Sequence, residues 1–210
     1  MFYLYYDVIS SLSELVGESG VLRLPSYIFE IFVFDDARLN VLRKAQNSLV
    51  SGERVLITGR AGTGKTSLMA MIIRNMFERG YGIGYLLEDA TTVLREHEER
   101  GILLFFDDIV RLSKLAIRSI VKNKPGLLIA TLREEDIKRF EAKLGRKIGS
   151  VFKVYRIGPM TEDKIEEILV KIADKENIVV EDDAKKIVVS KSSNLPIYIW
   201  HLIRDLKVNR

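Results

Sequence analysis

Short runs of consecutive apolar residues alternate along this chain with longer segments whose apolar positions recur at helical spacing. Residues 54–58 (RVLIT), 83–87, 102–106 (ILLFF), 127–131 and 152–157 form the apolar runs and read as five strands. They are apolar at successive rather than alternate positions, which belongs to a parallel sheet covered by helices on both faces. Helical segments lie between them over 67–79, 91–100, 112–121 and 134–144, the first with Leu68, Met71, Ile72 and Met76 at its apolar positions. Another helix precedes the first run. Asp35-Asp36 caps it, Leu39, Leu42 and Leu49 line it, and Gly52 ends it.

After Gly158-Pro159 the alternation stops, and 161–173, 181–189 and 196–206 all read as helices. Thr161, with Glu162 and Asp163 behind it, has the composition of a helix N-terminus. The expected division is an α/β core with an N-terminal extension over 1–158 and a small helical lid subdomain over 159–210. Residues 1–40 are the least patterned, with tyrosine and phenylalanine crowding 2–6 and 27–34 around Pro25. The 27–34 segment is expected either to pack against its own sheet or to offer a docking surface.

A length of 210 residues suits a core with a small appendage, large enough to need no metal or disulfide staple. With 47% apolar and 30% charged residues, a wholly disordered chain is excluded. Cysteine is absent, which excludes disulfides, thiol catalysis and cysteine-type zinc sites. No run approaches the roughly 18 apolar residues of a membrane span. The apolar stretch after Met1 is broken by Asp7 and has no basic segment before it, so a signal peptide is not expected. The expected compartment is the cytoplasm, with no membrane partner. A net charge of +4 permits a DNA partner, but no helix-turn-helix pattern or long basic stripe singles one out.

The strongest chemical signal is Gly59-Arg60-Ala61-Gly62-Thr63-Gly64-Lys65-Thr66, which matches G-x-x-x-x-G-K-[ST] between an apolar run and a helix. Glycines let the backbone wrap closely and aim N–H groups at phosphate oxygens, and the helix N-terminus adds a favourable field. Lys65 is expected to neutralise the β- and γ-phosphates, and the Thr66 hydroxyl to bind Mg²⁺. With Ser67 opening the helix, residues 59–67 form the expected binding set for ATP or ADP.

The run at 102–106 closes on Asp107-Asp108. Two adjacent carboxylates at the end of a buried strand require something cationic or polarised nearby. Asp107 is expected in the Mg²⁺ shell, and Asp108 to orient or deprotonate the attacking water. The run at 127–131 leads into Thr131-Leu132-Arg133. Parallel strands point their C-terminal ends at the ligand, so Arg133 or Thr131 is placed to reach the γ-phosphate. Asn194-Leu195-Pro196 opens the last helix, where proline suits the first turn.

In that order GRAGTGKT at 59–66, LLFFDDI at 103–109, IATLR at 129–133 and SNLPI at 193–197 resemble the AAA+-related STAND class of P-loop ATPases. The archaeal ATPase-like and NB-ARC types are the most similar, and the resemblance spans roughly 36–207. It implies a P-loop NTPase parallel-sheet core of AAA+/STAND type with a C-terminal helical lid. It further implies that Asp107 ligates Mg²⁺, Asp108 is the catalytic carboxylate, Arg133 senses the γ-phosphate, and Pro196 is the lid proline that contacts the base. Asn194 stands where the lid motif usually has glycine, and the family's G-R-E is not evident near 34–38.

The function implied is an ATP-binding, Mg²⁺-dependent ATPase acting as a nucleotide-driven switch or remodelling module, with Lys65, Asp108 and Arg133 as its catalytic set. A nucleotide-dependent homo-oligomer or a heterologous protein partner goes with it, and Arg139 or Arg146 would serve as an arginine finger in trans. A DNA-replication or helicase-loader module, and a nucleotide-binding protein with little turnover, are the alternatives.

Overall fold

The computed structural model describes residues 6–17, 20–86, 101–123 and 127–208. Its centre is a six-stranded sheet of β1 (Tyr6–Ile9), β2 (Val55–Gly59), β3 (Gly82–Leu86), β4 (Ile102–Phe106), β5 (Leu127–Arg133) and β6 (Lys153–Arg156), in the spatial order β1-β3-β4-β5-β2-β6. All neighbours are parallel except β1, an antiparallel edge strand with Ile9 opposite Ile83. This edge strand lies in the segment whose sequence shows no clear period. It makes the sheet one strand wider than the five expected.

The strands lack alternation because both faces are covered. On β2, Val55 and Ile57 face one core and Leu56 faces the other. The first core is built with α3 (Asp36–Val50) and α4 (Lys65–Glu78), through Leu42, Leu49, Leu68 and Ile72. The second is built with α5 (Lys114–Asn123) and α6 (Ile137–Leu144), through Ile117, Ile120, Phe140 and Leu144. Asp35 caps α3 as expected, its carboxylate accepting from the Arg38 backbone N–H at 2.7 Å.

Three boundaries differ from the sequence reading in ways that matter for the site. Helix α4 begins at Lys65, two residues early, because Gly64 takes a left-handed φ of 86° and turns the loop directly into the helix. Strand β5 runs on to Arg133, since Leu132 is buried and pairs with Thr58, and Arg133 itself stands opposite Gly59. The helices expected over 112–121 and 134–144 each open with a 3₁₀ turn, Ile109–Arg111 and Glu134–Asp136, ahead of α5 and α6. The expected 91–100 helix and the Pro125-Gly126 turn lie outside the described residues.

Beyond β6 come α7 (Glu162–Lys175), α8 (Asp182–Lys191) and α9 (Pro196–Val208). Ile165, Ile168, Leu169 and Ile172 of α7 are buried in one cluster with Ile199 and Ile203 of α9. Thr161 sits at the N-cap of α7 with extended backbone, but its side chain makes no capping bond. The short helices α1 (Leu12–Leu15) and α2 (Ile28–Ile31) come from the N-terminal part. The 27–34 segment is covered by the chain itself rather than left as a docking surface. Ile28, Ile31 and Val33 are buried, the Tyr27 hydroxyl donates to the Glu176 carboxylate, and its ring meets Trp200 edge-on at 6.0 Å. Among the described residues no helix is long and apolar enough to cross a membrane.

Candidate functional site

The loop between β2 and α4 is drawn tight by its own residues. Gly62 and Gly64 both have positive φ, at 78° and 86°, where a side chain would be strained. A Cβ on Gly59 would fall 2.4 Å from the Ile157 carbonyl oxygen, so only glycine fits there. Thr63 is buried and its hydroxyl donates to the Arg60 carbonyl at 2.9 Å. The Lys65 ammonium donates to the same carbonyl at 2.8 Å, which folds the loop into a ring around that oxygen. Burial pushes the Lys65 pKa below the usual lysine value, opposed in part by the charge of Glu135.

Beside the loop, the ends of β4 and β5 are tied together through hydroxyls. Asp107 Oδ1 accepts from Thr66 Oγ1 at 2.9 Å and from Thr131 Oγ1 at 2.6 Å. Thr131 Oγ1 in turn accepts from the Asp108 backbone N–H at 2.8 Å. Asp108 adopts a left-handed backbone, φ 60° and ψ 63°, a conformation costing a non-glycine residue about 1–2 kcal/mol. Its Oδ2 lies 3.6 Å from Arg133 Nε, and its Oδ1 is buried with no hydrogen-bond partner among the described residues. Burial raises the Asp108 pKa, partly offset by Arg133 and reinforced by Asp107. Such a strained, under-satisfied carboxyl at a strand end has the features of a functional group rather than a structural one.

These groups face a cavity of about 560 Å³, within the usual range for small-molecule sites. Ala61, Gly62, Gly64, Lys65, Thr66 and Ser67 form one wall, and Asp107, Asp108, Thr131 and Arg133 another. The rest of the lining is mostly apolar, from Leu24, Pro25, Ile28, Val33, Ile168, Ile172, Pro196 and Ile197, with Arg23, Arg38 and His201 among them. Pro196 and Arg133 thus lie on the same cavity as the loop. Gly59, Arg60 and Thr63 do not line it and instead shape the loop from behind. The donor set suits a hard divalent ion, because Thr66 and Asp107 offer oxygen ligands beside the orphaned Asp108 oxygen. Among the described residues no group of three or more His, Cys, Asp or Glu is placed to hold a metal ion.

Two features escaped the sequence reading. Arg38 is 1% exposed; it pairs with Asp35 and donates to the Thr63 carbonyl at 2.6 Å and the Gly158 carbonyl at 2.9 Å. One guanidinium therefore holds the phosphate-loop backbone and the junction between β6 and α7. Its signal was present, since Arg38, Val41, Leu42, Ala45 and Leu49 share one helical stripe, and an arginine there must find buried partners. The apolar wall from residues 24–33 carried no periodic or motif signal at all. Ahead of α9, Ser193 and Asn194 both have positive φ, at 52° and 61°. Asparagine tolerates that conformation, so Asn194 can do the work of the glycine it replaces.

A family model described as Novel STAND NTPase 3 matches residues 38–171. That match places the fold and the loop within the STAND/AAA+ superfamily of P-loop NTPases. No curated protein gives a match. Among solved structures, the RuvB Holliday junction branch migration motor of Thermotoga maritima is similar at a TM-score of 0.61 and 20% identity, over 82% of this chain and 61% of that one. The chain thus spans about three fifths of RuvB's length. Replication initiator DnaA bound to AMPPCP and single-stranded DNA matches at 0.63 and 19% identity, over 89% of this chain and 66% of that one. Domain III of the Thermotoga maritima DnaA matches at 0.64 and 17% identity, over 88% and 89%. At these identities the likeness is one of fold.

Proposed function

The chain belongs to the Novel STAND NTPase 3 family, and from that premise we propose that it binds ATP with Mg²⁺ in this cavity and hydrolyses it as a nucleotide-driven switch or remodelling module. The single observation that carries the reading is the hydroxyl-bridged set Thr66–Asp107–Thr131 beside the buried Lys65, on a cavity whose remaining lining is mostly apolar. A nucleoside triphosphate offers matching surfaces, a charged phosphate chain and a flat base whose faces pack against apolar side chains.

The backbone N–H groups of residues 61–67 and the N-terminus of α4 would hold the β-phosphate. Lys65 would exchange the Arg60 carbonyl for a phosphate oxygen, which relieves the burial of an otherwise poorly compensated ammonium. Thr66 and Asp107 would hold Mg²⁺, with Thr131 fixing the carboxylate's direction. When bound, the ion supplies charge neutralisation between the phosphates. Asp108, more basic than an ordinary carboxylate, would accept a proton from the attacking water. Arg133, at the end of β5, would face the γ-phosphate, and Pro196 the base.

Residues 159–210 would act as a lid over the nucleotide. The four motifs support grouping the chain with the archaeal ATPase-like and NB-ARC types, and its place of action would be the cytoplasm. Arg139, 68% exposed on α6, or Arg146 would complete a neighbour's site in a nucleotide-dependent assembly. A second reading, a DNA-handling module, is favoured by the likeness in fold to RuvB and to DnaA. The test of the hydrolytic reading is single-turnover hydrolysis by the wild type and Asp108→Asn. The variant is expected to hold ATP and to turn over at least about a hundredfold more slowly. Equal rates would remove Asp108 from the mechanism.

A further inference from the structure

Charge is distributed unevenly over the molecule. Residues 109–147 hold eleven Lys and Arg against four Asp and Glu, a net of +7, whereas the whole chain nets only +4, so the remainder nets −3. On α5 the cations fall on one stripe. Lys114, Arg118 and Lys122 recur every four residues, and all three are exposed. Alongside, α6 exposes Lys138 and Arg139, and the loop after it exposes Arg146 and Lys147. The sequence reading found no basic stripe because these cations are spaced three or four apart, on two helices separated by the buried strand β5.

The two helices form a fixed platform. Ile117, Ile120, Phe140 and Leu144 share one core, and Lys143 Nζ donates to the carbonyls of Val110, at 2.6 Å, and Leu112, at 3.2 Å. Little of the positive charge is cancelled within it. Arg139 lies 4.0 Å from Asp136, and Lys147 lies 3.1 Å from Glu141; in both pairs the cation is largely exposed and the attraction screened. Among the described residues, Lys114, Arg118, Lys122, Lys138 and Arg146 have no ion pair. Like charges four apart on a helix repel, so folding alone does not account for the stripe.

We infer that the outer face of α5 and α6 binds the phosphate backbone of a nucleic acid without reading its sequence. Four helical residues rise about 6 Å, so one cation faces roughly every second phosphate of a strand rising about 3.4 Å per nucleotide. Phe140, the aromatic residue of this pair of helices, is buried, so base stacking has no platform here. An anionic membrane fits less well. Among the described residues Leu115, 59% exposed, is the one large apolar side chain that this face exposes, and interfacial helices need an apolar stripe to insert. Lys114, Arg118 and Lys122 do not line the nucleotide cavity and have no part in the proposed hydrolysis, so the α5 stripe can be tested apart from it.

Fluorescence anisotropy with a labelled 20-mer of thymidylate, and with a duplex of the same length, tests it across 50–200 mM NaCl. The wild type is expected to bind, with the logarithm of affinity falling by about 0.7 per phosphate neutralised on the single strand for each tenfold rise in salt. The variant Lys114→Glu/Arg118→Glu/Lys122→Glu is expected to bind at least about tenfold more weakly, with a flatter salt slope. Its circular dichroism and ATP affinity should match the wild type, which separates a lost surface from a lost fold. The variant Lys171→Glu/Lys186→Glu, which reverses the half-buried Lys171 on α7 and the exposed Lys186 on α8, should bind the 20-mer like the wild type. Absence of binding at 50 mM NaCl would overturn the inference, as would equal loss in both variants. Sedimentation with phosphatidylserine vesicles in place of the oligonucleotide, lost in the triple variant while the oligonucleotide stays unbound, would assign the face to a membrane instead.

Discussion

Gly62 and Ile197 are separated by the width of one absent methyl group. A Cβ placed on Gly62 would lie 2.4 Å from Ile197 Cγ2, so the phosphate loop and the start of α9 are in direct contact. The glycine serves both its own left-handed backbone and the close approach of the lid. Gly62→Ala is therefore expected to lower stability and nucleotide affinity together. Part of that loss should be recovered in Gly62→Ala/Ile197→Ala, with a coupling of about 0.5–3 kcal/mol. A double-mutant cycle by denaturant unfolding measures it, and strict additivity would mean that the two elements separate in solution.

Thr131 is the hinge of the carboxylate pair. Thr131→Val keeps the shape of the side chain and deletes the hydroxyl that orients Asp107 and receives the Asp108 N–H. Hydrogen bonds to charged groups are worth about 1.5–3 kcal/mol, so Mg²⁺-dependent ATP affinity should fall about ten- to a hundredfold. Affinity measured with EDTA in place of Mg²⁺ should change far less. A loss that is the same with and without the metal would make Thr131 a packing residue.

Arg133 ends β5 beside Gly59, with its side chain half exposed and 3.6 Å from Asp108. Arg133→Ala is expected to weaken ATP more than ADP in competition binding. Equal losses for both nucleotides would make it a structural partner of Asp108. The same substitution removes the charge that restrains the Asp108 pKa, so any acid limb of the pH–rate profile should move to higher pH.

Arg38 predicts a stability effect in a residue with no place in the motifs. Arg38→Met would leave the Thr63 and Gly158 carbonyls and the Asp35 carboxylate without their shared donor. Breaking one side of a buried ion pair typically costs about 3–5 kcal/mol, and urea unfolding of this variant should show a loss of that order. Arg38→Met/Asp35→Asn, which removes the unpaired charge and keeps the helix cap, should recover part of it. A loss under about 1 kcal/mol in the single variant would mean that the guanidinium is not held as described.

Stability should also depend on pH in opposite senses at the two charged groups of the site. Burial lowers the Lys65 pKa on folding, so between that lowered value and the unfolded value the unfolded chain binds more protons. Stability of the nucleotide-free protein therefore rises with pH across that alkaline window. The Asp108 pKa is raised on folding, so stability falls as pH rises from the ordinary carboxylate range through the raised value. Lys65→Met should flatten the first dependence and Asp108→Asn the second, as read by thermal unfolding at a series of pH values.

What was legible in the sequence follows from how many constraints each residue satisfies locally. Strands such as Val55–Gly59 and Ile102–Phe106 are buried on both faces, so nearly every position is apolar and the run is plain. The loop at 59–66 was plain because its glycines, lysine and threonine are all required within eight residues. Arg38 was hidden because its partners lie 25 and 120 residues away, and only the fold brings them together. The apolar cavity wall was hidden for the same reason. Leu24, Pro25 and Val33 acquire their role only when α7 and α9 close opposite them. Strand β1 is four residues long and pairs along one edge, too short for any period to show.

The central claim is that the loop at 59–66 holds ATP through Lys65. Isothermal titration of the full chain with ATP and Mg²⁺, beside Lys65→Ala, tests it most directly. The account predicts saturable binding by the wild type and an affinity at least about tenfold lower in the variant, because a charge-assisted contact worth about 1.5–3 kcal/mol is lost. Indistinguishable affinities in the two proteins would contradict it.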